Sequence, residues 1–255
     1  MQARILFFGL LVLTFAGCVR DRIETPAEDH SVQYFPLNLG KYIVYNVDSI
    51  VFDDLSGGNT QDSVSFQIRE EVVDFQISLA GDTLYYIHRF RREDSTQSWK
   101  LTDLWTASRS TTEATRTEEN LKFLKMVYPL HFGKRWASTA YISPATSIVV
   151  GTETMQPYEE WSAKIIAYDV QDNVGDFNFA KGEVMQITQT NTDDGAFKRY
   201  VLEKYARNIG LVMRVDTILN SLCIPLGDFT DCIGKSWSEQ AGKGYILSQI
   251  MTDHN

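Results

Sequence analysis

The stretch that decides the fold is residues 63–92, which read SVSFQIREEVVDFQISLAGDTLYYIHRFRR. Apolar side chains occupy the even positions from Val64 to Ile68 and the odd positions from Val73 to Leu79. Alternation with period two predicts a half-buried strand, and a change of phase predicts a bulge, because one extra residue exchanges the two faces. A turn at residues 80–82 leads into a second run over residues 83–92, so the stretch predicts a long antiparallel hairpin.

Similar runs recur on both sides of this hairpin, and helix signals are few. Further candidate strands cover residues 42–52, 99–108, 112–127, 146–152, 163–170, 183–192, 196–205, 211–219 and 244–251. A short capped helix beginning near residue 117 is the alternative for part of one run, and a strand is favoured there because residues 122–127 also alternate. Strands in unbroken succession predict an all-β antiparallel sheet of about 10 strands in one domain, residues 34–255.

The composition is that of an acidic globular protein. Hydrophobic residues make up 44% of the 255 residues and charged residues 22%, which is typical of a chain that folds. The 24 basic and 33 acidic residues give a formal net charge of −9. Nucleic-acid-binding proteins need a basic surface, so we expect no nucleic-acid partner.

The N-terminus has the pattern of an export signal. The apolar run Ile5–Ala16 is too short to span a bilayer as a helix, and it ends in Gly17-Cys18. Small residues before a cysteine resemble a bacterial lipobox. The resemblance implies a signal peptide over residues 1–17, lipidation of Cys18 and a flexible tether over residues 18–33. The alternative is an ordinary signal peptide with a chance cysteine.

Two cysteines remain for the folded part of the chain. Cys223 and Cys232 enclose Pro225, Gly227 and Asp228, a composition typical of a loop. An exported protein folds in an oxidising compartment, so a disulfide between the two is expected. Two buried free thiols are the alternative.

One short pattern occurs twice. Residues 36–41 read PLNLGK and residues 129–134 read PLHFGK, and an aromatic residue, Tyr42 or Trp136, follows in each case. Two related halves of the chain would explain this repetition. A recurrent loop that leads into a strand is the preferred explanation, because nothing else repeats at that spacing.

Several longer stretches carry a resemblance to a known group of proteins. They are, in order, YFPLNLGKY at residues 34–42, EN at 119–120 leading to YP at 128–129, GKRW at 133–136, GDF at 175–177 and EKYARNIGLV at 203–212. Together they resemble a group of uncharacterised all-β bacterial outer-membrane lipoproteins. The resemblance implies a single strongly curved antiparallel sheet, a half-barrel or open barrel with little helix. It carries over no catalytic residue.

Patterns for catalysis and metal binding are scarce. His88 in a predicted strand and His131 in a loop lie in no recognisable catalytic motif. Adjacent glutamate pairs point to opposite faces of a strand and form no dyad. Oxygen ligands cluster between Asp169 and Asp176, where an ordinary turn is favoured over a calcium site. We therefore expect no catalytic centre, no cofactor and no metal.

A ligand-binding surface is predicted around Trp99, Trp105, Arg89 and Arg91. The two tryptophans have the same strand parity, so they are expected to share a face on which their rings could stack on a sugar or a lipid chain. The two arginines lie on the preceding strand and could bind an anionic head group. The alternative is core packing for the tryptophans and a basic solvated edge for the arginines.

A last pattern concerns glycans. Asp followed by Ser or Thr, and then by an apolar residue or Thr, resembles the O-glycosylation acceptor of some Gram-negative envelopes. The predicted acceptors are Ser49, Ser63, Thr83, Ser95 and Thr217. Strand edges that place Asp before a β-branched residue are the alternative explanation.

Two classes of function stay open. The first is a non-catalytic cell-envelope lipoprotein that binds a hydrophobic or amphiphilic ligand in its curved sheet. The second is an interaction or assembly subunit of an outer-membrane or surface complex, and a carboxylate-based hydrolase is a lesser alternative. Val19 differs from the Asp that resembles an inner-membrane retention signal, so we expect the outer membrane, on its periplasmic or surface face. The expected partners are the membrane, through the lipid anchor, and a lipid, a glycan or an envelope protein.

The concave face of the sheet distinguishes the two classes. An open, apolar, unfilled groove would favour a ligand carrier. A filled interior with an apolar patch elsewhere would favour an assembly subunit.

Overall fold

The computed structural model describes residues 30–53, 60–79, 81–159, 161–227 and 230–255. Within these residues the chain is antiparallel β-structure almost throughout, which confirms the predicted fold class. Two single-turn helices are present, α1 (Cys223–Leu226) and α2 (Trp237–Gln240). No helix in this part of the chain has the length and apolar character needed to cross a membrane. The predicted signal peptide, Cys18 and most of the predicted tether lie outside the described residues.

Fourteen strands are described. Their bounds are β1 (Tyr42–Asp53), β2 (Thr60–Ile77), β3 (Thr83–Arg92), β4 (Lys100–Arg109), β5 (Glu113–Glu118), β6 (Leu121–Val127), β7 (Arg135–Ala137), β8 (Ile148–Val150), β9 (Glu153–Met155), β10 (Ser162–Val174), β11 (Phe177–Asp193), β12 (Phe197–Ala206), β13 (Gly210–Ser221) and β14 (Ala241–His254). Twelve form one sheet in the order β6-β5-β4-β3-β2-β1-β14-β13-β12-β11-β10-β7, and β8 pairs with β9 apart from it.

The predicted count of about 10 strands was too low. The run 112–127 is two strands rather than one, because Glu119 and Asn120 turn the chain with φ angles of 48° and 64°. The predicted strand 146–152 is instead part of the small hairpin β8–β9. The three-residue strand β7, too short to give a periodic signal, adds the last member of the sheet.

The sheet consists of two meanders of six strands that meet where β1 pairs with β14. The first half is β1–β6, and the second half is β7 with β10–β14. The repeated PLxxGK pattern leads into the first strand of each half with the same hydrogen bonds. The glycine N–H donates to a carbonyl of the neighbouring long strand, from Gly40 to Val72 at 2.8 Å and from Gly133 to Ile165 at 2.9 Å. Both loops therefore lead into strands, and they hold equivalent places in the two halves, which agrees with the two-halves explanation as well as with the recurrent loop.

The sheet curves until its two end strands meet. The Leu124 N–H in β6 donates to the carbonyl of Ser138, just beyond β7, at 2.9 Å. The Trp136 indole N–H of β7 donates to the Leu124 carbonyl at 2.8 Å. The predicted half-barrel or open barrel is therefore nearly closed into a barrel, which leaves little unpaired strand edge.

One end of the barrel is closed by the first described residues, and we call it the tether end. A 3-10 turn, Ser31–Tyr34, lies there. The Leu130 N–H donates to the Ser31 hydroxyl at 2.9 Å, and the Asn208 N–H donates to the Gln33 carbonyl at 2.8 Å. Residues from Ser31 onward are therefore bonded into the barrel.

The opposite end, which we call the cavity end, carries the longer connections. Residues 138–161 cross from β7 to β10 and include the hairpin β8–β9. The connection from β13 to β14 contains α1, α2 and a disulfide between Cys223 and Cys232, which confirms that prediction.

Each half has one long hairpin that extends past its neighbours at the tether end. In β2–β3 the register shifts once, between Val72 and Asp74, and this confirms the bulge predicted from the change of phase. In β10–β11 the register shifts three times between Ile165 and Asp172. These bends fold the second hairpin back over the outer face of the sheet, where Val174 and Phe179 are buried against residues of β13 and β14.

Candidate functional site: the cavity at the open end of the barrel

A cavity of about 640 Å³ lies inside the barrel at the cavity end. Its walls are largely aromatic and apolar, and they include Trp105, Phe123, Tyr158 and Tyr245. Residues 147–151 of the β7–β10 connection form its outer side. The volume lies within the range of roughly 300–1,000 Å³ that is typical of small-molecule sites.

A layer of paired charges lies at the bottom of this cavity, and we call it the floor, since Arg89, Glu118, Arg214 and Asp216 of this layer line the cavity. The layer contains four cations and four anions, so their formal charges cancel. The first half of the sheet contributes three cations and two anions, and the second half contributes one cation and two anions. The cations are Arg89, Arg116, Lys125 and Arg214, and the anions are Glu70, Glu118, Glu203 and Asp216.

Two ion pairs in this layer join the halves of the sheet. Lys125 of β6 donates to Glu203 of β12 at 2.5 Å, and Arg214 of β13 donates to Glu118 of β5 at 2.7 Å. Glu203 is fully buried and also accepts hydrogen bonds from Gln189 and other neighbours. Buried charges persist only when they are paired and hydrogen-bonded, and these are.

Pairing outweighs burial for Glu118 and Arg214, whereas burial raises the pKa of Asp216. Burial alone would raise the pKa of Glu118, but Lys125, Arg214 and Arg116 hold it well below its usual value. Burial would likewise lower the pKa of Arg214, and its carboxylate neighbours raise it instead. Above the cavity floor, burial raises the pKa of Tyr158 to about 12, so this hydroxyl stays protonated. The cavity thus has a charged floor beneath neutral aromatic walls.

Arg89 is the most weakly held cation of the floor. It lies 3.5 Å from Glu70 and 3.6 Å from Asp103, whereas the hydrogen bonds of Arg214 to Asp216 and Glu118 measure 2.7 to 3.1 Å. Distances near 3.5 Å are longer than charge-assisted hydrogen bonds. The Arg89 guanidinium stacks on the Trp105 ring, 4.4 Å from its centroid, and both residues line the cavity. These two predicted ligand residues are therefore together at one site.

Trp99 and Arg91, the other predicted ligand residues, lie outside the cavity lining. The expectation that Trp99 and Trp105 share a face was wrong. The partners of Arg89 and Phe90 on β4 are Asp103 and Leu101, so the extra residue between them reverses the faces. Trp99 consequently packs under Arg92 on the outer face, with its ring centroid 4.2 Å from the guanidinium carbon.

Arg91 shares the inner face with Arg89 but contacts other groups. It stacks over Phe66 at 3.8 Å and pairs with Glu93 at 3.1 Å. Its side chain keeps 39% of its surface exposed. Arg91 is thus a stacked, solvated cation near the rim, in line with the edge alternative for this residue.

The predicted glycan acceptors differ in accessibility. Ser63 and Ser95 are exposed, and Thr83 and Thr217 are half-buried. Ser49 lines the cavity, so an attached sugar would have to occupy that space. Their modification stays a prediction.

The remaining sequence candidates have structural contacts. His88 packs edge-on against Phe90. Asp169 accepts from Tyr34 at 2.6 Å and from Arg207 at 2.7 Å. It lies with Asp172 in strand β10, so of the predicted turn over this segment only residues 175–176 are a turn. Among the described residues, no group of three or more His, Cys, Asp or Glu side chains is placed to hold a metal ion.

Arg89 was identified from the sequence, but none of the other charged residues of the floor was. Arg214 and Asp216 share strand parity with Ile218, which is fully buried. A charged residue in phase with buried apolar residues was the available signal, because it predicts an inward-facing charge that needs a partner. That partner, Glu118, lies across the barrel and 96 residues away in the sequence, so the local pattern does not identify it.

Comparisons with known proteins give distant similarity. No protein-family model matches the chain, and no curated protein matches it. One similar solved structure, from Bacteroides fragilis, is provisionally described as an exported protein with a YmcC-like fold. It is 10% identical, the match covers 87% of this chain and 98% of that chain, and the TM-score is 0.43. A second, from Parabacteroides distasonis, is provisionally described as a lipoprotein. It is 8% identical with the same coverage and a TM-score of 0.37. At these sequence identities and TM-scores, the similarity supports no conclusion about this chain.

Proposed function

We propose that the protein is a non-catalytic, lipid-anchored protein of the outer membrane that binds a small amphiphile with an anionic head group in its cavity. The observation that carries this proposal is the cavity of about 640 Å³ with a charged floor beneath aromatic walls. Arg89 would receive the head group, because its contacts to protein carboxylates are long. Trp105, Tyr158 and Tyr245 would contact the apolar part.

The lipid anchor rests on the N-terminal sequence. The cavity lies at the end of the barrel opposite the tether end, so an anchor at Cys18 would leave its mouth directed away from the membrane. Replacement of Cys18 by Ala is expected to move the protein from the membrane to the soluble fraction of the envelope. Unchanged membrane association would contradict the anchor.

Ligand binding is tested in two steps. Native mass spectrometry of the protein extracted from its envelope is expected to show an added mass that organic solvent removes. Calorimetric titration with laurate then measures binding directly. In Ser49→Phe a ring enters the cavity without removing any charge, and affinity is expected to fall by at least about tenfold, as for loss of one good contact.

A matched control lies on the neighbouring strand. Ser63→Phe places the same ring at an exposed position and should leave laurate affinity unchanged. Equal affinity in the two variants, or no binding to the wild-type protein together with no copurified mass, would overturn the proposal. The assembly subunit would then be the better candidate, since the barrel also carries an exposed apolar hairpin.

A further inference from the structure

Exposed apolar side chains gather at three places on the tether end. Leu39 precedes β1 and is 54% exposed, and Phe132 precedes β7 and is 68% exposed. The tip of β2–β3 carries Phe75, Ile77 and Leu79, of which Leu79 is fully exposed. Single exposed apolar residues are ordinary, but a set at one end of a molecule marks a contact surface.

Two of these places repeat the same local structure. Leu39-Gly40-Lys41 and Phe132-Gly133-Lys134 are the equivalent loops of the two halves. In each, the lysine ammonium donates to a main-chain oxygen at 2.7 Å, from Lys41 to Asn255 and from Lys134 to Pro129, so each loop carries one cation. The strands they lead into, β1 and β7, are six places apart in the twelve-stranded order. The two loops therefore lie on opposite sides of the barrel rim.

The start of the folded chain lies at this same end. The 3-10 turn Ser31–Tyr34 is bonded into the tether end, and Cys18 is twelve residues before His30 in the sequence. Even a fully extended segment of that length reaches at most about 40 Å. A lipid on Cys18 would thus keep the tether end within a short distance of the bilayer, at a high effective concentration.

We propose that the tether end docks on the membrane surface, with Leu39, Phe132 and the β2–β3 tip inserted at the lipid interface. This inference rests on the lipid anchor of the proposed function. Separate protrusions around a rim suit a planar, deformable lipid surface better than a protein groove, which needs one contiguous patch. In this arrangement the two loops would also bring Lys41 and Lys134 near the lipid phosphates. Docking would hold the cavity mouth pointing away from the membrane, toward the aqueous phase.

The test measures the depth of single labelled positions. The mature chain, with Cys18→Ser and an N-terminal polyhistidine tag, is held on vesicles of phosphatidylethanolamine and phosphatidylglycerol that contain a nickel-chelating lipid. An environment-sensitive fluorophore is attached through Leu79→Cys or Phe132→Cys. Matched labels go to Leu101→Cys and Ile233→Cys, which lie at the cavity end outside the cavity lining and are 52% and 78% exposed in the wild-type protein.

The emission of labels at positions 79 and 132 is expected to shift to the blue and to be quenched by spin-labelled acyl chains, whereas labels at positions 101 and 233 are expected to emit as in water. Quenching that is equal at the two ends, or absent at all four positions on tag-bound protein, would overturn the proposal. Loss of label exposure at position 79 only in the presence of an envelope protein would assign the surface to that protein instead. Because the tag replaces the lipid, failure of the anchor itself shows separately, in the Cys18 experiment.

A charge substitution gives a second readout. Leu79→Asp is expected to abolish the quenching of a label at position 132, because a charge at the interface opposes insertion. The control is Leu104→Asp on the outer wall of the barrel, where the leucine is 66% exposed. Equal quenching in both variants would contradict docking through the hairpin tip.

Discussion

The hairpins β2–β3 and β10–β11 hold equivalent places in the two halves of the sheet, yet they end in different surroundings. Both extend past the loop that starts their half, and both carry apolar residues near the tip. Phe179 in the second hairpin is 8% exposed, whereas Phe75 in the first is 43% exposed and Ile77 is 61% exposed. The second hairpin covers its own sheet, and the first presents its apolar residues to the outside.

The cause of this difference is backbone geometry rather than hydrophobicity. The second hairpin bends through three register shifts, and Asp169 in the bend has a φ angle of 55°. The first hairpin has one register shift and continues past its neighbouring strands. Bulges bend strands, so one half of the protein buries its hairpin against its own sheet while the hairpin of the other half stays exposed.

The largest effect is expected where the two halves are joined. Glu203→Ala removes the carboxylate that Lys125 contacts at 2.5 Å and leaves it only Glu118, at 3.3 Å. Removal of one partner from a buried ion pair costs about 3–5 kcal/mol. Urea unfolding should show a loss of that size. Glu93→Ala, at an ion pair that is half exposed, should change the free energy of unfolding by less than about 1 kcal/mol. A small loss for Glu203→Ala would mean that the halves hold together without the charge layer.

The two hairpins should differ in what they contribute to stability. Phe179→Ala removes a buried ring from the folded-back hairpin and is expected to cost about 3 kcal/mol. Phe75→Ala removes an exposed ring and should cost less than about 1 kcal/mol. Thermal and urea unfolding of the two variants measure the difference. Equal losses would show that the first hairpin is also packed against the barrel in solution.

The charge layer should make the link between the halves sensitive to acid. The folded-state pKa of Glu118 is lowered, since Lys125, Arg214 and Arg116 outweigh its burial. Because the pKa is lower in the folded state, ionised Glu118 stabilises the fold at pH values above its unfolded-state pKa, near 4.5. This contribution is lost as the pH falls from 4.5 toward the folded-state pKa. We expect about 2 kcal/mol to disappear in this range. Glu118→Gln should flatten this part of the curve of unfolding free energy against pH, and an unchanged slope would rule out Glu118 as the group responsible.

The smallest contrast concerns the turns of the two hairpins. Gly81 and Gly175 both have positive φ, 88° and 55°, so alanine is strained at either position. A Cβ at Gly175 would also meet the Met251 carbonyl at 3.2 Å, whereas at Gly81 nothing lies within 4 Å. Gly175→Ala is therefore expected to cost about 1 kcal/mol more than Gly81→Ala in unfolding free energy. Equal costs would indicate that the second hairpin can lift from the sheet without penalty.

Local patterns predicted what depends on neighbours in sequence. The alternation over residues 63–92 and its change of phase predicted β2, β3 and the bulge at Val72, because a strand's faces follow from its own residues. The spacing and composition around Cys223 and Cys232 predicted the disulfide. The same reasoning failed for Trp99 and Trp105, because the bulge that separates their faces leaves no trace in the order of side chains.

The sequence by itself determined that this chain is an antiparallel β-protein with a signal-like N-terminus and a cysteine-closed loop. Only the tertiary structure decided that the sheet closes into a barrel, that Arg214 meets Glu118 inside it and that Arg89 lies over Trp105 beside a cavity. The physical reason is the separation in sequence between the residues that interact. Strand identity is set by residues a few positions apart, whereas sheet closure and ion pairing join residues that are distant in the chain, through the sum of many bends and twists.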